Sequence, residues 1–497
     1  MSVRESTWSG NTSRQNTPTS YQSRSSPAAG RGRYSSWSTQ SSQPRWHKIS
    51  SPSPRPPSPP LGPVLKTLNE KDLSASADLN EYSARITDCQ NLPLLWTGKC
   101  NRHEKWSSQL TSANQGKPPA WTPLQTPEKL KEDSGEYFRD PNAARFPNYP
   151  TEPAVHAIFS QQPDFSASSI DIFACGSTMG NLLRFVRKID KPFRFLVEVV
   201  GNTVFFIRRE NSPTELIPRV YGYGHTFPEA YTTWDMDVKG SESHQRIIQY
   251  TFNGLKCLVR FGSDGYFRSP NPEAGLQHQS TSAKLVETTD KALAAFALSS
   301  PAHQKSPLTP LTIKPGGERV PQSSIFDLKT RSIRKIDQDT LAEELPRLWI
   351  AQIPNFVLAY HSYGTFTHIR EQNVCKEVSA WETENEESLQ RLGVIIRKII
   401  EFVKSKSETK LEVRRVGTGV LELREPEGDF EVLPPEIKAL WTGGYRDSEG
   451  EEENHISDPI RDNSEYHKDT DDESTEDYTA CSADGCGYCG HCSYRVA

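Results

Sequence analysis

Three residues on two apolar segments have the types and spacing for chemistry on a phosphate. One segment, LVRFGSDG, ends at Asp264. The other, FDLKT, carries Asp327 and Lys329 two positions apart. Residues i and i+2 of a strand share a face, so Asp327 and Lys329 point together with Leu328 behind them. Two carboxylates from adjacent strands can hold a divalent cation through oxygen ligands. A neighbouring lysine can position or activate a water, while the metal neutralises charge in the transition state. Each residue also has a bland reading. Asp264 before Gly265 suits a turn, and Lys329 suits a surface lysine leaning over its strand. The order of elements gives the set its meaning: helix, strand with Asp264, strand with Asp327 and Lys329, then helix.

Those elements follow from hydrophobic periodicity. DIFACGS reads as a short buried strand, followed by a helix over TMGNLLRFVRK. FRFLVEVV and TVFFIRRE flank Gly201-Asn202 and predict a hairpin. SESHQRIIQYTF is expected to be helical, with Ser241 or Ser243 as its cap. GLKCLVRFGSDGYF and SIFDLKTRSI are strands. LAEELPRLWIAQIPNF is a helix limited by Pro354. VLAYHSYGTFTHI turns near Gly364. EESLQRLGVIIRKIIEFVKSK is a strongly amphipathic helix, and KLEVRRVGTGVLELRE is a last hairpin.

Around this α/β block the composition changes. Of 497 residues, 34% are hydrophobic and 37 are proline, so much of the chain cannot bury enough apolar surface to offset the entropy of ordering. The net charge of −5 averages opposed segments. Residues 1–60 carry eight Arg/Lys against Glu5 alone; residues 445–480 carry fourteen acids against three bases. The expected organisation is a disordered Ser/Pro/Arg-rich arm over 1–115 and an α/β domain over 116–444 with an insertion at 268–322. An acidic linker over 445–480 and a Cys-rich tail over 481–497 follow. Arg31, Arg33 and Arg45 lie among Tyr34, Trp37 and Trp46, a mixture that can bind single-stranded nucleic acid by phosphate contact and stacking. A solvated, phosphorylatable tail is the competing account of that arm. No 18-residue apolar run predicts a membrane span, and no signal-peptide core is evident. Five scattered cysteines and four in the last 17 residues do not form a secreted disulfide framework, so nucleus or cytoplasm is expected.

From about Phe193 to Ile400 the chain resembles the decapping exoribonuclease (DXO-like) family of the PD-(D/E)XK nuclease superfamily. FRFLVEVVGNTVFFIRRE looks like its early hairpin, and YGYGHTFPE like its Gly-Tyr-Lys-Phe-Glu segment. SHQRIIQYTFNGLKCLVRFGSDG looks like the approach to its Glu-x-Asp motif, FDLKTRS like its Glu-Leu-Lys-Thr strand, and LPRLWIAQIPNFVLAYHS like the helix after it. The resemblance implies a mixed sheet flanked by helices that acts on RNA 5′ ends with Mg²⁺ or Mn²⁺. Asp264 and Asp327 would hold the metal, Lys329 would serve the water, and Gln352 and Glu229 would assist. Three departures stand out. Gly262 occupies the place of a ligating glutamate, Asp327 is one methylene shorter than the glutamate it replaces, and Cys175-Gly176 lacks an arginine before the glycine. The loss of a ligand sharply lowers metal affinity. A binding scaffold for RNA or protein, keeping the fold without the chemistry, is therefore the alternative.

The chain also resembles a fungal family whose members often bear the label geranylgeranyl pyrophosphate synthetase. Such synthases need two DDxxD segments on helices, and this sequence has neither. In the tail, Cys481, Cys486, Cys489 and Cys492 with His491 are spaced C-x4-C-x2-C-x2-C, which suits a zinc knuckle or a reactive cysteine tail. CGSTMGN, at Cys175–Asn181, follows a strand but lacks the P-loop lysine, so it reads as a strand-to-helix turn rather than a phosphate cradle. His225, His244 and His361 have no metal-ligand spacing.

Overall fold

The computed structural model describes residues 56–74, 84–92, 111–113, 117–268, 312–314 and 317–443, apart from positions 219, 240, 242 and 418. The basic and aromatic residues of the N-terminal arm, most of the insertion expected at 268–322, the acidic linker and the cysteine tail lie outside the described residues.

The fold is mixed α/β, with two large sheets that share a helical layer and a two-stranded parallel pair of Thr111–Ala113 and Thr312–Lys314. The larger sheet has nine strands. From one edge they are Val64–Asn69, Val420–Arg424, Lys410–Gly417, Phe193–Val200, Thr203–Arg208, Ile172–Cys175, Leu255–Gly262, Gln245–Phe252 and Ile86–Leu92. Ile172–Cys175 runs parallel to both neighbours and is buried on both faces, as its unbroken apolar run requires. One face packs on the helices Gly176–Val186, Thr340–Ala351 and Glu386–Lys404. Phe173, Phe205 and Leu258 meet Val155, Ile158 and Trp441 of two further helices on the other face.

The smaller sheet orders Thr365–Asn373, Asn355–Ser362, Ile325–Ser332, Gly265–Tyr266, Ala120–Trp121 and Thr232–Thr233. The chain leaves the large sheet at Gly262 and enters the small one at Gly265. Ser263 and Asp264 are the crossing. Gly265 is needed there because the Phe326 ring and the Pro119 carbonyl lie against its backbone.

Two expectations fail. SESHQRIIQYTF is not a helix. Gln245–Phe252 is a strand that sends Ile248, Tyr250 and Phe252 into one core and Ile247 into the other. Its β-branched and aromatic residues favour this, and so does the turn that follows. Asn253 and Gly254 take φ of 50° and 70°, the left-handed pair of a two-residue hairpin turn, and they register Phe252 against Leu255. Second, Val64–Asn69 lies in the stretch expected to be disordered, yet it pairs with Val420–Arg424. It covers what would otherwise be an open sheet edge, and Leu68 and Leu73 anchor it in the core.

Among the described residues no helix is long and apolar enough to cross a membrane. The sheet crossing yields a test. In Gly265→Ala the added Cβ would sit 2.3 Å from the Phe326 ring and 2.9 Å from the Pro119 carbonyl. The urea midpoint should fall by the equivalent of about 1–3 kcal/mol. An unchanged midpoint would mean that the two sheets do not close on this glycine.

Candidate functional site

The Asp327 strand has two unlike faces. Phe326 and Leu328 join Phe227, Tyr231, Val357 and Phe366 in an aromatic cluster. Asp327 and Lys329 alternate with them and face the helix Thr340–Ala351. That helix starts at Asp339, whose Oδ1 accepts from the Ala342 amide at 3.1 Å. Glu344 and Arg347 stand one turn apart on it, the spacing that brings side chains onto one face.

Four buried side chains meet there: Asp327, Lys329, Glu344 and Arg347. Arg347 Nη2 donates to Asp327 Oδ1 at 2.6 Å, and its Nε donates to Glu344 Oε2 at 3.1 Å. Lys329 Nζ lies 3.5 Å from Glu344 Oε1. Arg331 Nη2 lies 3.7 Å from that oxygen and 3.7 Å from Glu343. Burial alone would raise Glu344, but Lys329, Arg347 and Arg331 outweigh it and hold its carboxyl below the usual range.

Asp264 closes the cluster from the sheet crossing. The Leu328 amide donates to its Oδ2 at 2.8 Å. Burial, the charge of Asp327 and a hydrogen bond to the Asp327 side chain push Asp264 well above the ordinary carboxylate range. Arg347 and the Leu328 amide oppose this and lose. The nearness of the Asp327 carboxyl thus disfavours ionisation of Asp264.

This arrangement does not fit the divalent cation that the resemblance implies. A metal needs several free, ionised oxygens. One Asp327 oxygen carries the Arg347 guanidinium, Asp264 Oδ2 accepts the Leu328 amide, and Gly262 supplies no carboxylate. Among the described residues no group of three or more His, Cys, Asp and Glu side chains is placed to hold a metal ion.

The other expected site residues lie elsewhere. Gln352 ends the helix in a left-handed conformation (φ 49°), with its side-chain amide on the Trp349 carbonyl at 2.5 Å. Its own carbonyl accepts from Gln322 Nε2 at 3.0 Å. Glu229 is exposed on Thr226–Tyr231, whose Phe227 and Tyr231 pack on the Phe326 and Leu328 side, across the sheet from Asp327. Cys175 caps a plain strand-to-helix turn, with Thr178 Oγ1 donating to its carbonyl at 2.9 Å. His225 stacks on Tyr137, His244 is buried beside Arg246, and His361 meets Tyr223.

Glu344 and Arg347 were not foreseen. Their signal is an opposite-charge pair at i, i+3 within TLAEELPRLWIA, on a helix that also buries Leu348 and Trp349.

Residues 100–439 match a family model described as a domain of unknown function, DUF8563. The chain belongs to that family. No curated protein matches it. Among solved structures it is similar to S. pombe Rai1, at 8% identity over 73% of this chain and 99% of that one, with a TM-score of 0.45. It is also similar to Scheffersomyces stipitis Rai1 in complex with (3′-NADP)⁺ and calcium ion, at 11% identity over 78% and 99%, TM-score 0.47. A third is K. lactis Dxo1 in complex with manganese, at 8% identity over 73% and 98%, TM-score 0.39. These are proteins of the kind that the sequence motifs resemble. At such identities none of them lends its ligand or its reaction to this member of the family.

Two outcomes test the cluster. Asp327→Ala strands the buried Arg347 guanidinium and should cost about 3–5 kcal/mol in denaturant unfolding; a loss under 1 kcal/mol would dissolve the ion-pair account. Asp264→Asn keeps the acceptor for Leu328 and the donor for Asp327. A carboxyl raised by folding stabilises the native state fully below its unfolded pKa, about 3.9, and loses that contribution as pH rises through its folded pKa. The stability of Asp264→Asn should therefore gain on wild type with rising pH, read from unfolding midpoints across the pH range. Parallel curves would contradict an upward shift of Asp264.

Proposed function

We propose that this protein is a non-catalytic binding protein that keeps a decapping-nuclease-like fold and takes RNA as its ligand. The supporting observation is the Arg347 guanidinium on Asp327 at 2.6 Å, beside Asp264. Positive charge that a metal would supply comes here from the protein itself. RNA is the ligand class favoured by the motif resemblance, and the N-terminal arm has the matching chemistry. Arg31, Arg33 and Arg45 can contact phosphates, while Tyr34, Trp37 and Trp46 can stack on bases.

A weak metal-dependent RNA 5′-end hydrolase is the second reading. The observation favouring it is that Lys329 and three carboxyl groups, Asp264, Asp327 and Glu344, are gathered in one cluster.

One experiment separates the two. The full chain is mixed with short capped, triphosphorylated and monophosphorylated RNAs in EDTA or in Mn²⁺, and binding and products are followed. Expected are salt-sensitive binding that EDTA leaves unchanged, no product, and weaker binding once residues 1–62 are removed. A Mn²⁺-dependent product that disappears in Asp327→Asn and Lys329→Ala would overturn the non-catalytic assignment. Absence of RNA binding in every buffer would overturn RNA as the ligand.

A further inference from the structure

The geometry points to Ser58 as a phosphorylation site whose phosphate is received by Arg194 and Arg209, fastening the proline-rich segment 56–63 to the domain. The inference is independent of the acid cluster and of RNA binding.

The segment reads PPSPPLGP and leads directly into the edge strand Val64–Asn69. Prolines offer carbonyls but no N–H, so the domain must hold this segment by donating to it. Asn211 Nδ2 donates to the Pro56 carbonyl at 3.1 Å. Arg194 donates to Ser58 Oγ at 2.8 Å, to the Pro59 carbonyl at 2.6 Å and to the Pro60 carbonyl at 3.0 Å. Arg424 Nη1 donates to the Gly62 carbonyl at 2.6 Å, and the Glu425 amide to that of Pro63 at 3.0 Å.

Behind Ser58 the charges do not balance. Glu412, fully buried, accepts from Arg194 and from Arg209 Nη1, the latter at 2.9 Å. Two guanidinium groups thus share one buried carboxylate. Glu427, the other acid that Arg209 senses, is exposed on the surface. The surplus positive charge faces a neutral hydroxyl. Ser58 itself is exposed, so its oxygen is within reach of an enzyme, and Pro59 follows it. Ser-Pro is the dipeptide that proline-directed protein kinases select.

In the step, the γ-phosphoryl group of a nucleoside triphosphate passes to Ser58 Oγ. The new bond is Oγ–P, the β,γ-anhydride bond breaks, the hydroxyl proton goes to the kinase base, and the nucleoside diphosphate leaves. The product carries close to two negative charges and three strong acceptor oxygens. Charge-assisted bonds to two arginines then replace one bond to a hydroxyl. The docked segment and the edge strand behind it are held more tightly.

The test uses the full chain with phosphoserine genetically encoded at position 58, compared with unmodified serine. Amide hydrogen exchange is followed across 56–69. Phosphoserine should slow exchange there roughly tenfold. Among the described residues Arg209 donates to Glu412 and has no hydrogen bond to the segment; each background is compared with its own unmodified chain, and Arg209→Gln should remove the slowing. Unchanged or faster exchange with phosphoserine would overturn the inference, and so would slowing that persists in Arg209→Gln. Separately, a proline-directed kinase with ATP should modify Ser58 in the full chain, mapped against Ser51 and Ser53. Modification of those two without Ser58 would refute Ser58 as a site.

Discussion

Burying the Asp327 carboxylate with the Arg347 guanidinium takes both from water, and their mutual attraction rarely repays that cost alone. The pair survives because it is not alone. Glu344 satisfies the Nε side of the guanidinium, Lys329 and Arg331 flank Glu344, and the Leu328 amide and Asp264 complete the ring. Hydrogen bonds and charge contacts reinforce one another in a low-dielectric interior; Glu344 Oε1 accepts no hydrogen bond and is held by the charges of Lys329 and Arg331. Here it fixes the rotation of Thr340–Ala351 against the small sheet. The same helix sends Leu348 and Trp349 into the main core, and Trp349 Nε1 reaches Glu382 of the next helix at 2.9 Å. The ion pair therefore couples the small sheet to the helical layer that serves the large one.

Asp264 does the equivalent work between the sheets. It occupies the two-residue crossing, where the chain stops pairing with one set of strands and starts with another. Two carboxylates at such a point repel unless a cation or a proton intervenes. Arg347 takes one oxygen of Asp327, and the Leu328 amide takes one of Asp264. The contacts that let the sheets meet thus occupy oxygens of both acids.

Most of the strand framework could be read from the sequence because its segments are short, apolar and bounded by turn residues. The hairpins at Gly201-Asn202 and Gly364 were legible in this way, as was the long helix Glu386–Lys404. Gln245–Phe252 was misread since its few apolar residues, interspersed with polar ones, fit either period. The Asn253-Gly254 turn after it carried the missing information. Asp264, Asp327 and Lys329 were correctly brought together because strand order and the i, i+2 rule place them. Glu344 and Arg347 were missed because a helical i, i+3 ion pair is usually a surface feature. Only the packing of that helix on the strand turns it inward. Glu229 was misplaced for a related reason: its motif says nothing about which face of the sheet a six-residue helix covers.

Among the described residues, two of the arginine–carboxylate clusters differ in how their charges are matched. Around Asp327, the buried Asp327 and Glu344 face Lys329 and Arg347, with the part-exposed Arg331 and Glu343 at the rim. Around Glu412 two guanidinium groups meet one carboxylate, and the shortfall opens toward an exposed serine on a segment that offers only acceptors. Desolvation makes an unbalanced charge costly in either place. It is tolerated at Glu412 because solvent and the docked carbonyls share the load. An anion arriving there finds charge already in position, with no rearrangement of the core. The closed cluster is thus fitted to hold the fold together, and the open one to respond to a change in charge at the surface.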